Sequence, residues 1–198
     1  MSKTVEFYFD VGSPSSYLAW TQLPKICAEA SASLVYKPML LGGVFQATGN
    51  ASPVTVPAKG RYTNMDYLRY AKRYGVPLVM NPHFPIITLH LMRVATGVHM
   101  RAPDRFQDFL RATFKGLWID ALNLNEAELT SRMLADAGFP PEQVDALVND
   151  PEVKAALRAT TEEAVSRGVF GAPTTFVGDE MFFGQDRLPL IQETLSQP

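Results

Sequence analysis

The chain has 198 residues, 46% hydrophobic and 19% charged, with a formal net charge of −2. That balance supports one domain with a sizeable core and excludes both a disordered polyelectrolyte and a nucleic-acid binder working through bulk positive charge. A single cysteine, Cys27, excludes an intramolecular disulfide, and no window nears the roughly 18 uncharged apolar residues of a membrane span.

In chain order, residues 4–10 alternate in the manner of a strand, with Phe7 and Phe9 on one face and Tyr8 on the other. Gly12 permits a tight exit, Ser13 is a good N-cap, and Pro14 suits the first helical position, where no N–H is needed. A helix over 14–31 follows, which Pro24 must kink or interrupt, and then a strand over 33–39. Residues 40–59 are rich in Gly, Pro, Ser and Thr and read as a long loop, functional at that length. Helices are expected over 64–74, stopped by Gly75, over 104–118, and over 126–137, stopped by Gly138. In 104–118 the residues Phe106, Phe109, Leu110, Phe114, Leu117 and Trp118 recur at helical spacing. A short helix over 141–148 precedes one that Asp150 and Pro151 open and that ends near Gly168. Val169 to Val177 reads as a Gly-punctuated loop, a proline and a strand. Thr174–Val177 and Glu180–Phe183 form a hairpin across Gly178-Asp179, and Gly184-Gln185-Asp186 opens the terminal helix.

Two of these segments combine. The Ser13-Pro14-Ser15-Ser16 helix start and the Ala172-Pro173 loop look like the halves of a thioredoxin-type site with both redox cysteines replaced by serine. Disulfide exchange needs an attacking thiolate and a resolving sulfur, so dithiol chemistry is excluded. A hydroxyl at a helix N-terminus can still donate a hydrogen bond to an anion held at the positive end of the helix dipole. If that anion is a bound thiolate, Ser13 lowers its pKa from the free value of about 8.5. The plainer role for Ser13 is a helix cap. The paired loop distinguishes the two, and a cis Ala172–Pro173 bond with the Ala172 backbone facing Ser13 is expected.

The chain resembles the 2-hydroxychromene-2-carboxylate isomerase and kappa-class glutathione transferase family, a glutathione-using branch of the DsbA-like fold. The matching residues are Phe7-Tyr8-Phe9-Asp10, Ser13-Pro14, Ser16-Tyr17-Leu18-Ala19, Leu41-Gly42-Gly43-Val44, Thr48-Gly49-Asn50 and Pro57-Ala58-Lys59-Gly60, then Tyr74-Gly75-Val76-Pro77-Leu78, Val169 to Thr174 and Gly178 to Leu188. The resemblance implies an α/β fold, a thioredoxin-like domain of the DsbA/kappa type with an all-helical insertion. Residues 1–40 and 165–198 would form the split thioredoxin-like part, and 41–164 the loop and helical insertion. Glutathione would be the cofactor and Ser13 the catalytic residue. Ala172, before a cis proline, would pair with the cysteinyl backbone like an added strand. Asp186 would meet the γ-glutamyl ammonium, and free N–H groups around Gln185 and Asp186 its carboxylate. Asn50, Lys59, Phe183 and Gly184 would complete the cofactor site, Phe45 and Phe84 would border the apolar substrate, and Pro14 and Pro173 would be structural. A cytoplasmic homodimer acting on a small aromatic substrate is implied, with no nucleic acid or membrane partner.

The preferred activity is a glutathione-dependent isomerase, converting 2-hydroxychromene-2-carboxylate or a similar bicyclic aromatic acid to trans-o-hydroxybenzylidenepyruvate by reversible thiolate addition in aromatic catabolism. The alternatives are a kappa-class transferase that conjugates small electrophiles and a glutathione-binding module without turnover. One departure bears on the choice. The aromatic-degradation isomerases carry a lysine where Phe45 stands, a partner for the substrate carboxylate, and Arg61 or Arg93 are the candidates to replace it. His83, His90 and His99 have no metal-like spacing, so no metal is expected.

Overall fold

Phe7 and Phe9 point to one side of the central strand and Tyr8 to the other, and the molecule is built on both sides of that alternation. The computed structural model describes residues 3–197. Strand β1 (Thr4–Phe9) pairs in parallel with β2 (Ser33–Pro38), from Thr4 opposite Ser33 to Phe9 opposite Pro38. On its other edge it pairs antiparallel with β3 (Thr174–Val177), which pairs antiparallel with β4 (Glu180–Phe183), giving the order β2-β1-β3-β4. Helix α1 (Pro14–Glu29) makes the crossover that joins the parallel strands β1 and β2.

Between β2 and β3 come α2 (Leu41–Thr48), α3 (Pro57–Tyr74), α4 (Leu89–Arg101), α5 (Phe106–Trp118), α6 (Ala127–Asp136), α7 (Pro141–Asn149) and α8 (Pro151–Ser166), and α9 (Leu188–Ser196) closes the chain. The main core contains Phe7 and Phe9, whose rings stack 5.1 Å apart, with Phe106, Phe109, Phe114 and Trp118 of α5. Tyr8 faces a smaller cluster of Met39, Val44, Ala164, Val169 and Phe176 under α2 and α8. This is the expected α/β, thioredoxin-like architecture with helices concentrated between β2 and β3. No helix among the described residues is long and apolar enough to cross a membrane.

Several sequence expectations need correction. The 40–59 loop is mostly helical: α2 occupies its first half, a 3₁₀ turn spans Pro53–Thr55, and α3 begins at Pro57 rather than 64. Gly43 is no breaker there; a Cβ on it would sit 3.2 Å from the Thr161 methyl, so the small residue lets α2 lie close on α8. Helix α4 was not anticipated. Pro24 lies inside α1, which runs through it and ends at Glu29, not 31. Residues 185–187 form a 3₁₀ turn, and α9 starts only at Leu188.

Candidate active site

Ser13 lies where β1 hands over to α1, in extended backbone that lets its side chain cap the helix. Its Oγ accepts the Ser16 N–H at 3.1 Å and donates to the Ala172 carbonyl at 3.0 Å. The Ala172–Pro173 peptide is cis, as is Phe84–Pro85. One hydroxyl therefore ties the helix start to the proline loop, as the sequence implied. Among the described residues the Ala172 N–H and the Ser15 N–H have no recorded partner. The first leaves a short free backbone edge, and the second an unsatisfied donor at the positive end of α1.

Asp10, to which the sequence assigns no role, holds this corner in place. It is 1% exposed. Its Oδ1 accepts the Gly12 N–H at 2.9 Å, and its Oδ2 accepts the Leu41 N–H at 2.9 Å and the Thr88 hydroxyl at 3.0 Å. The Ser13 loop, the first turn of α2 and the residue before α4 thus share one carboxyl group. Burial pushes the Asp10 pKa above the usual carboxylate range, opposed by the three donors. A polar residue closing an apolar strand just before Gly12 was the available signal.

Beside Ser13 opens a cavity of about 530 Å³, within the usual range for small-molecule sites. Ser13, Phe45, Asn50, Lys59, Phe84, Ala172 and Phe183 all line it, and so do Tyr67, Met80 and Phe170, which the sequence did not single out. Asn50 follows α2 and donates to the Phe170 carbonyl at 2.7 Å, while its Oδ1 accepts the Ala51 N–H at 2.8 Å. The Phe170 and Phe183 rings lie 4.6 Å apart across the mouth. Lys59, in the first turn of α3, is the wall's one Lys or Arg among the described residues, and no Asp or Glu lines the wall. Tyr67 is held neutral: burial, helped by Asp66 and Asp186, pushes its pKa up to about 12.

Gly184, Gln185 and Asp186 sit beside the cavity and do not line it. Gln185 is buried; its side chain accepts from the Ser15 hydroxyl, its N–H donates to Ser15 Oγ at 3.3 Å, and its carbonyl accepts from Tyr74. Its N–H is therefore engaged, not free as the sequence reading expected. Asp186 pairs with Arg187, and its charge reaches Tyr67 and Tyr74. Pro14 lines the cavity at the first position of α1. Neither arginine proposed to replace the charge missing at Phe45 reaches this wall. Arg61 is exposed on α3, and Arg93 lines a separate space between α2, α4 and α8.

Residues 4–196 match the DsbA-like thioredoxin domain. The chain belongs to that family. Within the DsbA-like thioredoxin family it is 31% identical over 200 residues to a 2-hydroxychromene-2-carboxylate isomerase of Sphingobium xenophagum, covering 98% of this chain and 99% of that one. It is 28% identical over 207 residues to glutathione S-transferase kappa 1 of Rattus norvegicus, covering 98% and 92%. A solved 2-hydroxychromene-2-carboxylate isomerase superposes with a TM-score of 0.83 at 26% identity, covering 97% of this chain and 94% of that one.

Proposed function

We propose that this protein is a glutathione-dependent isomerase that converts 2-hydroxychromene-2-carboxylate, or a similar bicyclic aromatic acid, to its ring-opened trans partner in aromatic catabolism. The observation that carries the reading is the Ser13 hydroxyl, at the N-terminus of α1 and bonded to the Ala172 carbonyl on the wall of a mainly apolar cavity. The full-length similarity to named isomerases supports it.

The residues present suit glutathione. The Ala172 N–H is unpartnered and its C=O is held only by a hydroxyl, so an extended peptide can take both. A wall without carboxylates does not repel an anion. Bound there, glutathione would supply the thiol that this site lacks, a nucleophile able to add to an unsaturated acid and to leave again unchanged. The protein's part is then positional and electrostatic. The Ser13 hydroxyl, which here donates to the Ala172 carbonyl, would be the group to hold a proton toward a bound thiolate, with the unpartnered Ser15 N–H at the same helix end. Phe45, Phe84 and Met80 provide the apolar wall for a fused aromatic ring. Lys59 offers the one positive charge to a carboxylate, and Tyr67 a neutral hydroxyl able to donate. Asn50 and Phe183 line the mouth, Gln185 braces the α1 start through Ser15, and Asp186, beside the cavity and paired with Arg187, would be the carboxylate for the cofactor's ammonium end. Family likeness supports a cytoplasmic homodimer.

A kappa-type transferase is the second reading, favoured by the uncharged Phe45. Thiol accounting separates them: with substoichiometric glutathione, an isomerase converts many chromene carboxylates while total free thiol stays constant. Loss of one thiol per product, with no chromene conversion, overturns the isomerase in favour of conjugation. Conversion without any glutathione overturns both, and binding without turnover on either substrate class leaves a binding module.

A further inference from the structure

Helix α2 separates two cavities. Successive residues turn by about 100°, so Leu41 and Phe45 face the Ser13 cavity while Gly43 and Ala47 face the opposite way. On that opposite side, α2, α4 and α8 border a second cavity of about 770 Å³. Its floor is apolar, formed by residues such as Leu89 and Leu157, the latter buried. Its charged lining is Arg93, Lys154 and Arg158 against one carboxylate, Glu162.

Arg93 and Lys154 are set apart by burial: Lys59, Arg61, Lys72, Arg73 and Arg132 also lack an ion pair among the described residues, but all five are exposed. Arg101, Arg105, Arg111, Arg167 and Arg187 are each paired with an Asp or Glu. Arg93 and Lys154 are half-buried, yet neither they nor Arg158 has an ion pair among the described residues. Half-burying a cation beside apolar surface without a counter-charge costs free energy that an anionic ligand would return. We propose that this cavity binds a small amphipathic anion, an apolar body bearing a carboxylate or sulfonate, with Arg93 and Lys154 as its main charge partners. An open concavity between three helices, with an apolar floor and cations on its lining, suits such a molecule. The site is separate from the Ser13 cavity and shares only helix α2 with it.

The probe is 8-anilinonaphthalene-1-sulfonate, titrated by fluorescence into the folded full-length protein with S-hexylglutathione saturating the Ser13 cavity. The expected result is one equivalent of probe bound, weakened about tenfold or more by Arg93→Gln or Lys154→Gln and by added salt, and unchanged by Phe45→Ala. Arg158→Gln, at an exposed position, gives a second reading if Arg93→Gln melts early. Complete displacement by S-hexylglutathione overturns the proposal. So does equal binding by all three charge variants, or equally tight binding of the uncharged N-phenyl-1-naphthylamine. Sedimentation provides the last arm: a wild-type oligomer that Arg93→Glu dissociates, with no probe bound to the wild type, means that a second copy of the chain covers the cavity instead.

Discussion

Replacing Ser13 with alanine removes one oxygen that makes two bonds in this structure, and its two effects can be measured separately. In the free protein the Ser16 N–H loses its cap acceptor and the Ala172 carbonyl loses its donor. Loss of a serine cap costs about 1 kcal/mol, which for a chain of this size lowers Tm by about 2–4 °C. With glutathione bound, the missing interaction is a charge-assisted hydrogen bond to the thiolate, worth about 1.5–3 kcal/mol. That corresponds to a turnover loss of about 10–150-fold and a thiol pKa raised by about 1–2 units. Ultraviolet thiolate absorbance followed against pH, in wild type and Ser13→Ala, reads the pKa directly, and chromene carboxylate conversion reads the rate. Because the pKa moves up, the variant's rate should recover as pH rises, while the wild type has already levelled off. An unchanged thiol pKa, or full turnover in a variant that merely melts earlier, would remove Ser13 from the chemistry and leave it a helix cap.

Asp10→Asn sets an amide NH₂ against either the Gly12 or the Leu41 N–H, leaving a buried donor unmet at about 1–3 kcal/mol; calorimetry should show Tm several degrees lower, and an unchanged Tm would refute the shared-anchor role. Ser16 Oγ is fully buried with no hydrogen-bond partner among the described residues, so Ser16→Ala should leave Tm equal or higher and the bound thiol pKa unchanged, and a clear fall in Tm would show a missed partner. Burial pushes the Cys27 thiol up to about 11, so the native thiol keeps its proton while the unfolded one ionises near 8.5. Stability should therefore fall as pH rises between those values, by up to about 2 kcal/mol near pH 10. Denaturant unfolding of wild type against Cys27→Ala should lose that difference in slope, and parallel pH profiles would refute it.

What the sequence revealed follows the strength of local chemistry. The β1 alternation, the Ser13 cap with Pro14 behind it, and the turn at Gly178, which has φ of +61°, are decided within a few residues, and all stand in the structure. The Ser13–Ala172 contact was legible because the two half-sites have recognisable local forms, though they lie far apart. Helix α4 was not legible because Leu91 to Val98 are all buried apart from the half-buried Arg93, so no clear polar stripe marks its period. Gly97 there is a packing contact between α4 and α7: a Cβ on it would lie 2.9 Å from Leu147. Helix α2 was hidden by the loop-like composition of 40–59, in which Gly43 is likewise a packing contact, against Thr161 of α8. Asp10 and Arg93 owe their surroundings to chain segments distant in sequence, which no window of residues displays.

The 159-residue interval between Ser13 and Ala172 also governs how the protein is made. At about 5–20 residues per second, roughly ten to thirty seconds pass between synthesis of the two. During that time β1 and β2 can pair, but the other edge of β1 has no neighbour until β3 arrives. A buried, aromatic strand with an open edge is a template for wrong pairing. Helices α2 to α8 emerge in that interval, and those packed against the Phe7–Phe9 face can cover it before the edge is closed. On the ribosome, the segment between the two halves of the site is thus a shield for the first half, so shortening it would be felt first in the yield of folded protein.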